Sequence, residues 1–148
     1  PVKLKKSFVK EVEDNLVPIY SREAHFASHA NSNTIDNLIK GKNNNNLLRI
    51  KRIAFDMKSS LIKEDLDSFA DLMNEETKER VLLHKSIAPK YIKNLIKSAN
   101  KKGAVASKIC GSGGGGCLLF FGNKKRLMNH FKDKVIDFNF EFRGLRRC

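Results

Sequence analysis

Apolar side chains recur along this chain with two different periods, and the change from one to the other divides it. In the middle, Leu47, Ile50, Ala54, Met57 and Leu61 fall at steps of three and four residues, which predicts one face of an amphipathic helix. Asp65 stands where an N-cap belongs, ahead of a second stripe of Phe69, Met73, Thr77, Val81 and His84, with Leu66 and Leu72 beside it. A third helix begins near Pro89, with Ile92, Leu95 or Ile96, and Ala99 on its inner side and Gly103 as its terminator. After Gly103 the pattern turns to β. AVASKIC and the continuous apolar run CLLFFG predict a hairpin whose second strand is central. Residues 123–135 return to helix, with Leu127, Met128, Phe131 and Val135 facing inward. VIDFNFEFRG then alternates strictly and predicts a last strand with Phe138, Phe140 and Phe142 on one face.

The first third is less regular. VKLKK alternates apolar and basic residues and predicts a short strand, followed by a helical turn or two carrying Phe8, Val9 and Val12. Leu16–Tyr20 predicts an edge strand, since Pro18 has no N–H for a ladder. Helix is predicted around residues 24–30 and 35–39. The tract Gly41–Asn46 predicts an exposed loop with no packing role. A sheet with helices on one side is an α+β sandwich.

Composition narrows the class. At 148 residues and 41% apolar the chain suits one domain, and no 20–50-residue repeat divides it. No apolar run approaches the roughly 18 residues of a membrane span, and the N-terminus lacks a secretion signal, so a cytoplasmic protein without a membrane partner is expected. Three cysteines, Cys110, Cys117 and Cys148, without a C-x-x-C pair argue against a disulfide framework. The net charge of +13 points to anionic partners, phosphates first. Residues 101–148 hold 11 basic side chains against 3 acidic, so the excess is concentrated there, around Lys101, Lys102, Lys124, Lys125 and Arg126.

The same third contains GSGGGG, residues 111–116. Five glycines in six positions are costly to order, so such a run belongs where backbone turns at positive φ or approaches a ligand closely, and its N–H groups can then receive an anion. A Walker loop is excluded because no Lys-Ser or Lys-Thr follows, and a dinucleotide fingerprint because the glycines open into a strand.

GAVASKICGSGGGGCLLFF, residues 103–121, resembles the third conserved motif of the GHMP small-molecule kinases. LMNEETKER, YIKNLIKSANKKGA, FNFEFRG and, less well, LVPIYSRE extend the resemblance to the branch of D-glycero-D-manno-heptose 7-phosphate kinases and related sugar 1-kinases. It implies that residues 1–148 are the C-terminal domain of such a kinase, a ferredoxin-like antiparallel sheet backed by helices. ATP, Mg²⁺ and a sugar or sugar phosphate would bind in a cleft shared with an N-terminal ATP-binding domain. Position by position, Gly111, Ser112, Gly113, Gly114, Gly115 and Gly116 would line the phosphate end, Lys108 matches the motif lysine, and Arg22 and Asn74 match substrate positions. The paired glycines of the motif are here Ala106 and Ser107, and the turn before Arg22 is shorter than in the family. The family's nucleotide loop, P-x-x-x-G-L-G-S-S, and its catalytic carboxylate lie upstream of anything in this sequence. No catalytic residue is therefore expected in it, and the chain alone should be inactive.

Other constellations favour plainer readings. His25 and His29 share a helix face but lack the Glu of H-E-x-x-H and a third ligand, so no metal site is expected. Cys110 and Cys117 read as strand fillers, His84 as a hydrogen-bonded core histidine, and the Phe138, Phe140, Phe142 row as core rather than a base-stacking platform. A rival from another class is a stand-alone basic α+β module that binds nucleic acid through residues 101–148.

Overall fold

The computed structural model describes residues 2–23 and 27–142; the side chains of 27–31 and 33 lie outside that description. His25, the side chain of His29, and Cys148 are therefore not placed. The helices are α1 (Lys6–Asn15), α2 (Ala27–Ile39), α3 (Asn44–Ile62), α4 (Leu66–Leu83), α5 (Lys90–Lys101) and α6 (Lys124–Phe131). The strands are β1 (Leu16–Tyr20), β2 (Ala104–Ile109) and β3 (Cys117–Gly122). They form an antiparallel sheet in the order β1-β3-β2, which places the apolar run of β3 at the centre.

Both faces of that sheet are covered, where helices on one side were expected. On one face Val17, Ile19, Ile109, Leu118 and Phe120 pack with Ile92 and Ala99 of α5 and Leu127 and Phe131 of α6. On the other, Leu16, Ala106 and Phe121 meet Phe8 and Val12 of α1 and Phe69, Ala70 and Met73 of α4. Alternate residues of one strand thus enter two cores, which is why CLLFF carries no polar position. Each fully buried side chain of this size contributes about 1.5–3 kcal/mol, so the two cores dominate the stability.

The helical stripes are seen, except that Leu47 at the start of α3 is exposed and one position is shifted. In α3 Ile50, Met57 and Leu61 face the cores, but Ile53 is buried where Ala54 was expected, and Ala54 is exposed. Asp65 caps α4 as its position predicts, with Oδ1 accepting from Ser68 N at 3.0 Å and Oδ2 from Ser68 Oγ at 2.7 Å.

Two predicted strands are absent among the described residues. Residues 2–5 form no regular element, because helix begins at Lys6 to bury Phe8 and Val12, and Leu4 packs onto the core without pairing. VIDFNFEFRG starts to pair, with Val135 bridged to Ile19 and Ile136 N donating to Pro18 O at 2.9 Å, and then stops. Pro18 can accept but cannot donate, so the ladder on the outer edge of β1 has no return bond there. Of the aromatic row only Phe138 packs against a core; Phe140 and Phe142 are 38% and 75% exposed. Arg143 and Gly144 at the end of that segment lie outside the described residues.

The Asn tract is not a passive loop. Asn44 opens α3, and the carboxamides of Asn37 and Asn43 both donate to Leu83 O, the last residue of α4, at 3.0 and 2.9 Å. Asn46 donates to Glu79 Oε2 at 2.7 Å. The tract supplies donors to a helix end that otherwise leaves carbonyls unmet. Among the described residues no helix is long and apolar enough to cross a membrane.

Candidate functional site

The turn joining β2 to β3 is closed by Cys110 N donating to Cys117 O at 3.1 Å, and the glycine run fills it. Gly111, Gly113, Gly114 and Gly116 all have φ between 68° and 81°, a region that costs a residue with a Cβ about 1–2 kcal/mol. That explains four of the five glycines.

The loop is anchored from three sides. From the α4–α5 connection Ile87 O accepts from Gly114 N at 2.8 Å, and from the first turn of α5 the Tyr91 hydroxyl donates to Gly114 O. From the end of β1, Ser21 N donates to Gly116 O at 2.8 Å. From α4, Arg80 Nη1 donates to Gly111 O at 3.3 Å. The loop is thus a fixed surface rather than a free hairpin tip. Its donors are not all available, however, since the Gly114 N–H is already spent on Ile87. Loss of solvent around Tyr91, and then the negative charge of Glu23, raise the tyrosine pKa above its usual value and keep its hydroxyl a donor.

Lys108 sits at the loop's stem, committed to a carboxylate. Its Nζ lies 2.6 Å from Oε2 of Glu76, whose side chain is 4% exposed. The pair is a charge contact rather than a well-directed hydrogen bond, and Oε2 has no directional donor. Arg80 holds the other oxygen, Oε1, through Nε at 2.7 Å. Glu76 therefore collects both cations beneath the loop, and Arg80 passes the connection to Gly111.

Arg22 is brought to the same end of the sheet, because Ser21 bonds Gly116. It has φ of 63° and pairs with Asp133 through its guanidinium, which also reaches Asp133 O at 3.3 Å. Asn74 is elsewhere. Its Nδ2 donates to Val105 O at 2.8 Å and its Oδ1 accepts from Ser107 N at 3.1 Å, while Thr77 Oγ1 donates to Ser107 O at 2.7 Å. Asn74 and Thr77 cover the free edge of β2, a structural task the substrate assignment did not foresee.

The basic cluster of the last third lies apart from the glycines. Lys101 and Lys102 precede Gly103, Lys124–Arg126 follow Asn123, and Asn123 N bonds Gly103 O at 2.9 Å. That junction is the opposite end of the hairpin from the glycine loop, six residues of strand or about 20 Å away. Lys124 is spent on Glu13 O at 2.9 Å. The cluster does not surround the glycines.

His84 Nδ1 lies 2.7 Å from Ser86 Oγ and 3.1 Å from Ser86 N, as a hydrogen-bonded histidine should. Burial pushes the Cys110 thiol up, with Cys117 second, which suits a filler rather than a nucleophile. Tyr91, Glu76 and Arg80 were not singled out from the sequence. The i, i+4 spacing of Glu76 and Arg80 was the available signal for their pairing.

A family model described as GHMP kinases C terminal matches residues 57–140, more than half of the chain, from within α3 through the glycine loop to Phe140. The chain belongs to that family. The α+β architecture of this GHMP kinase C-terminal domain agrees with solved structures. Mevalonate kinase of L. major, solved with R-mevalonate, superposes with a TM-score of 0.67 at 16% identity, over 80% of this domain and 38% of that chain. A D-glycero-D-manno-heptose 1-phosphate kinase from Bacteriodes thetaiotaomicron gives 0.55 at 23% identity, over 92% and 36%. In sequence the domain is 22% identical to D-glycero-alpha-D-manno-heptose 7-phosphate kinase of Campylobacter jejuni subsp. jejuni serotype O:2, over 99% of its own length and 45% of the relative's. It spans less than half the length of that relative.

Proposed function

We propose that this GHMP kinase C-terminal domain works as one half of an ATP-dependent sugar or sugar-phosphate kinase of the heptose type, with an N-terminal domain supplying the nucleotide loop and the catalytic carboxylate. The reading rests on one observation above the rest, a glycine loop whose four left-handed residues are anchored from α4, Tyr91 and Ser21. A surface stripped of side chains and held still is suited to lie against phosphates without reorganising.

ATP with Mg²⁺ would supply the transferable phosphoryl group and neutralise its charge. The residues of this chain fit a partial role in holding them. Gly111, Ser112 and Gly116 would present backbone to the phosphate end, while the buried Gly113 and Gly115 and the Gly114 N–H on Ile87 brace the loop from beneath. Among the described residues no group of three or more His, Cys, Asp or Glu side chains is placed to hold a metal ion, so Mg²⁺ would be held by the phosphates and the other domain. Lys108, paired with Glu76, would act by fixing the stem and leaving positive potential beneath the loop. Arg22, on the same rim, would face the sugar phosphate after exchanging Asp133 for it. A cytoplasmic location follows from the need for ATP. The nucleic-acid alternative gains no support, since the family matched is one of kinases and, among the described residues, the aromatic row forms no strand platform.

The test is an ADP-release assay on the longest protein carrying this chain, with ATP, Mg²⁺ and a panel of heptoses, hexoses and their monophosphates. Turnover with a sugar or sugar phosphate is expected, along with a fall of about tenfold or more in kcat/KM for Gly111→Val. Gly111 is exposed with nothing within 4 Å of an added Cβ, so the side chain stands on the open face of the loop, and Gly111→Ala, with the same left-handed strain and a smaller side chain, should lose less. No turnover with any of these acceptors would remove the reading.

A further inference from the structure

The charge cluster excluded from the glycine loop forms a site of its own. Lys101 and Lys102 end α5, Arg126 and His130 stand on α6, and with Asn129 they line an open groove of about 500 Å³ that no carboxylate enters. Some surface cations are matched, as in Lys5–Glu64, Lys10–Asp14, Arg49–Glu75 and Arg52–Asp56, and others, such as Lys51 and Lys58 on α3, are not; the groove differs in gathering three unpaired cations around one concavity. Among the described residues, Lys101, Lys102 and Arg126 make no ion pair.

The groove is also held in shape. Ser98 Oγ of α5 and His130 Nε2 of α6 are 2.7 Å apart, and Asn123 N bonds Gly103 O, so the two helices are tied at both ends of the groove. The stem of Arg126 lies over Gly103, where an added Cβ would stand 3.7 Å from Arg126 Cδ. The end of α5 brings a partial negative charge of roughly half a unit, and its last carbonyls are partly taken by Lys102 N and Gly103 N. Three full positive charges outweigh it. Like charges gathered on a fixed frame without a counterion repel one another, and an anion relieves that repulsion.

We propose that this groove binds a small oligophosphate, a chain of two or more phosphoryl groups, at a site separate from the glycine loop. The cations come from two helices and are spread along the groove, which suits several linked phosphates better than one. The lysines act as point charges and Arg126 as a two-pronged donor, with Asn129 and His130 as polar lining. No aliphatic or aromatic hydrocarbon residue lines the groove to select a lipid tail.

The experiment is an NMR titration of the ¹⁵N-labelled 148-residue chain with sodium tripolyphosphate at about 0.15 M salt, where exposed charges are screened beyond about 8 Å. Saturable one-to-one shifts are expected at residues 101–103 and 126–130. The double variant Lys101→Glu, Arg126→Glu should weaken binding about tenfold or more, whereas Lys51→Glu, Lys58→Glu, the same charge change on exposed α3, should stay within about twofold. If the first variant unfolds, Lys101→Gln, Arg126→Gln serves instead, with the same loss expected. Equal weakening by both pairs, shifts confined to residues 111–116, or no saturation would overturn the proposal. So would tighter binding of a DNA duplex through the same two residues. Equal weakening by both pairs or absence of saturation leaves the kinase reading untouched, since it rests on the other end of the hairpin; shifts confined to residues 111–116 would favour that reading, and tighter binding of a DNA duplex would instead favour the nucleic-acid alternative.

Discussion

Gly113 lies so close to Ile87 that a Cβ at position 113 would stand 2.6 Å from Ile87 Cγ2 and 2.7 Å from Ile87 O. The Ile87 methyl could turn away, but its carbonyl, held by Gly114 N, could not. Gly111 also has positive φ, but it has nothing within 4 Å. Gly111→Ala should therefore cost only the left-handed penalty, about 1–2 kcal/mol, and Gly113→Ala about 2–5 kcal/mol once overpacking is added. Urea unfolding of the two variants checks this, and equal costs would mean that the loop is not seated on Ile87.

Glu76 carries two cations on one buried carboxylate, so its loss should be felt more than the loss of either. Glu76→Ala leaves Lys108 and Arg80 facing each other and should cost about 2–4 kcal/mol, below the full range for a buried pair because both cations are partly exposed. Lys108→Met should cost less, since Arg80 still holds Oε1. Thermal unfolding gives the order, and a larger loss for Lys108→Met would assign the stem's stability to the lysine instead.

Asn74→Ala should uncover the edge of β2, leaving Val105 O and Ser107 N without partners at a cost of about 1–3 kcal/mol. Hydrogen exchange at the Ser107 amide should accelerate while the amides of β3 stay protected. An unchanged Ser107 rate would show that the carboxamide is free to serve a substrate.

The raised pKa of Tyr91 has a definite sign. Its contribution is complete below the unfolded value near 10 and is lost as pH rises through the higher folded value. Stability of the parent chain should fall above pH 10, and Tyr91→Phe should flatten that fall while costing about 0.5–1.5 kcal/mol at neutral pH through the bond to Gly114. A pH profile with the same slope in both proteins would remove Tyr91 as the titrating group.

Much of the fold was legible because period and composition act locally. The central position of β3 followed from an apolar run, the start of α4 from Asp65, and the loop's backbone geometry from its glycines. Phe140 and Phe142 show the limit. Their alternation is that of a strand, yet strand formation needs a partner, and Pro18 withholds the donor that would have continued it.

The sequence by itself determined the helices, the hairpin and the family, because periodicity, caps and a glycine-rich motif are written within a few residues of one another. Tertiary structure alone decided which charges share a site. Lys108, counted with the basic excess, is neutralised by Glu76 from another element, and Asn74 is turned to the edge of β2. Lys101 and Arg126 meet each other at the end of the hairpin away from the glycines beside which composition placed them. Coulomb interactions and hydrogen bonds depend on distance in space, and a strand of six residues is enough to carry neighbours in sequence out of reach.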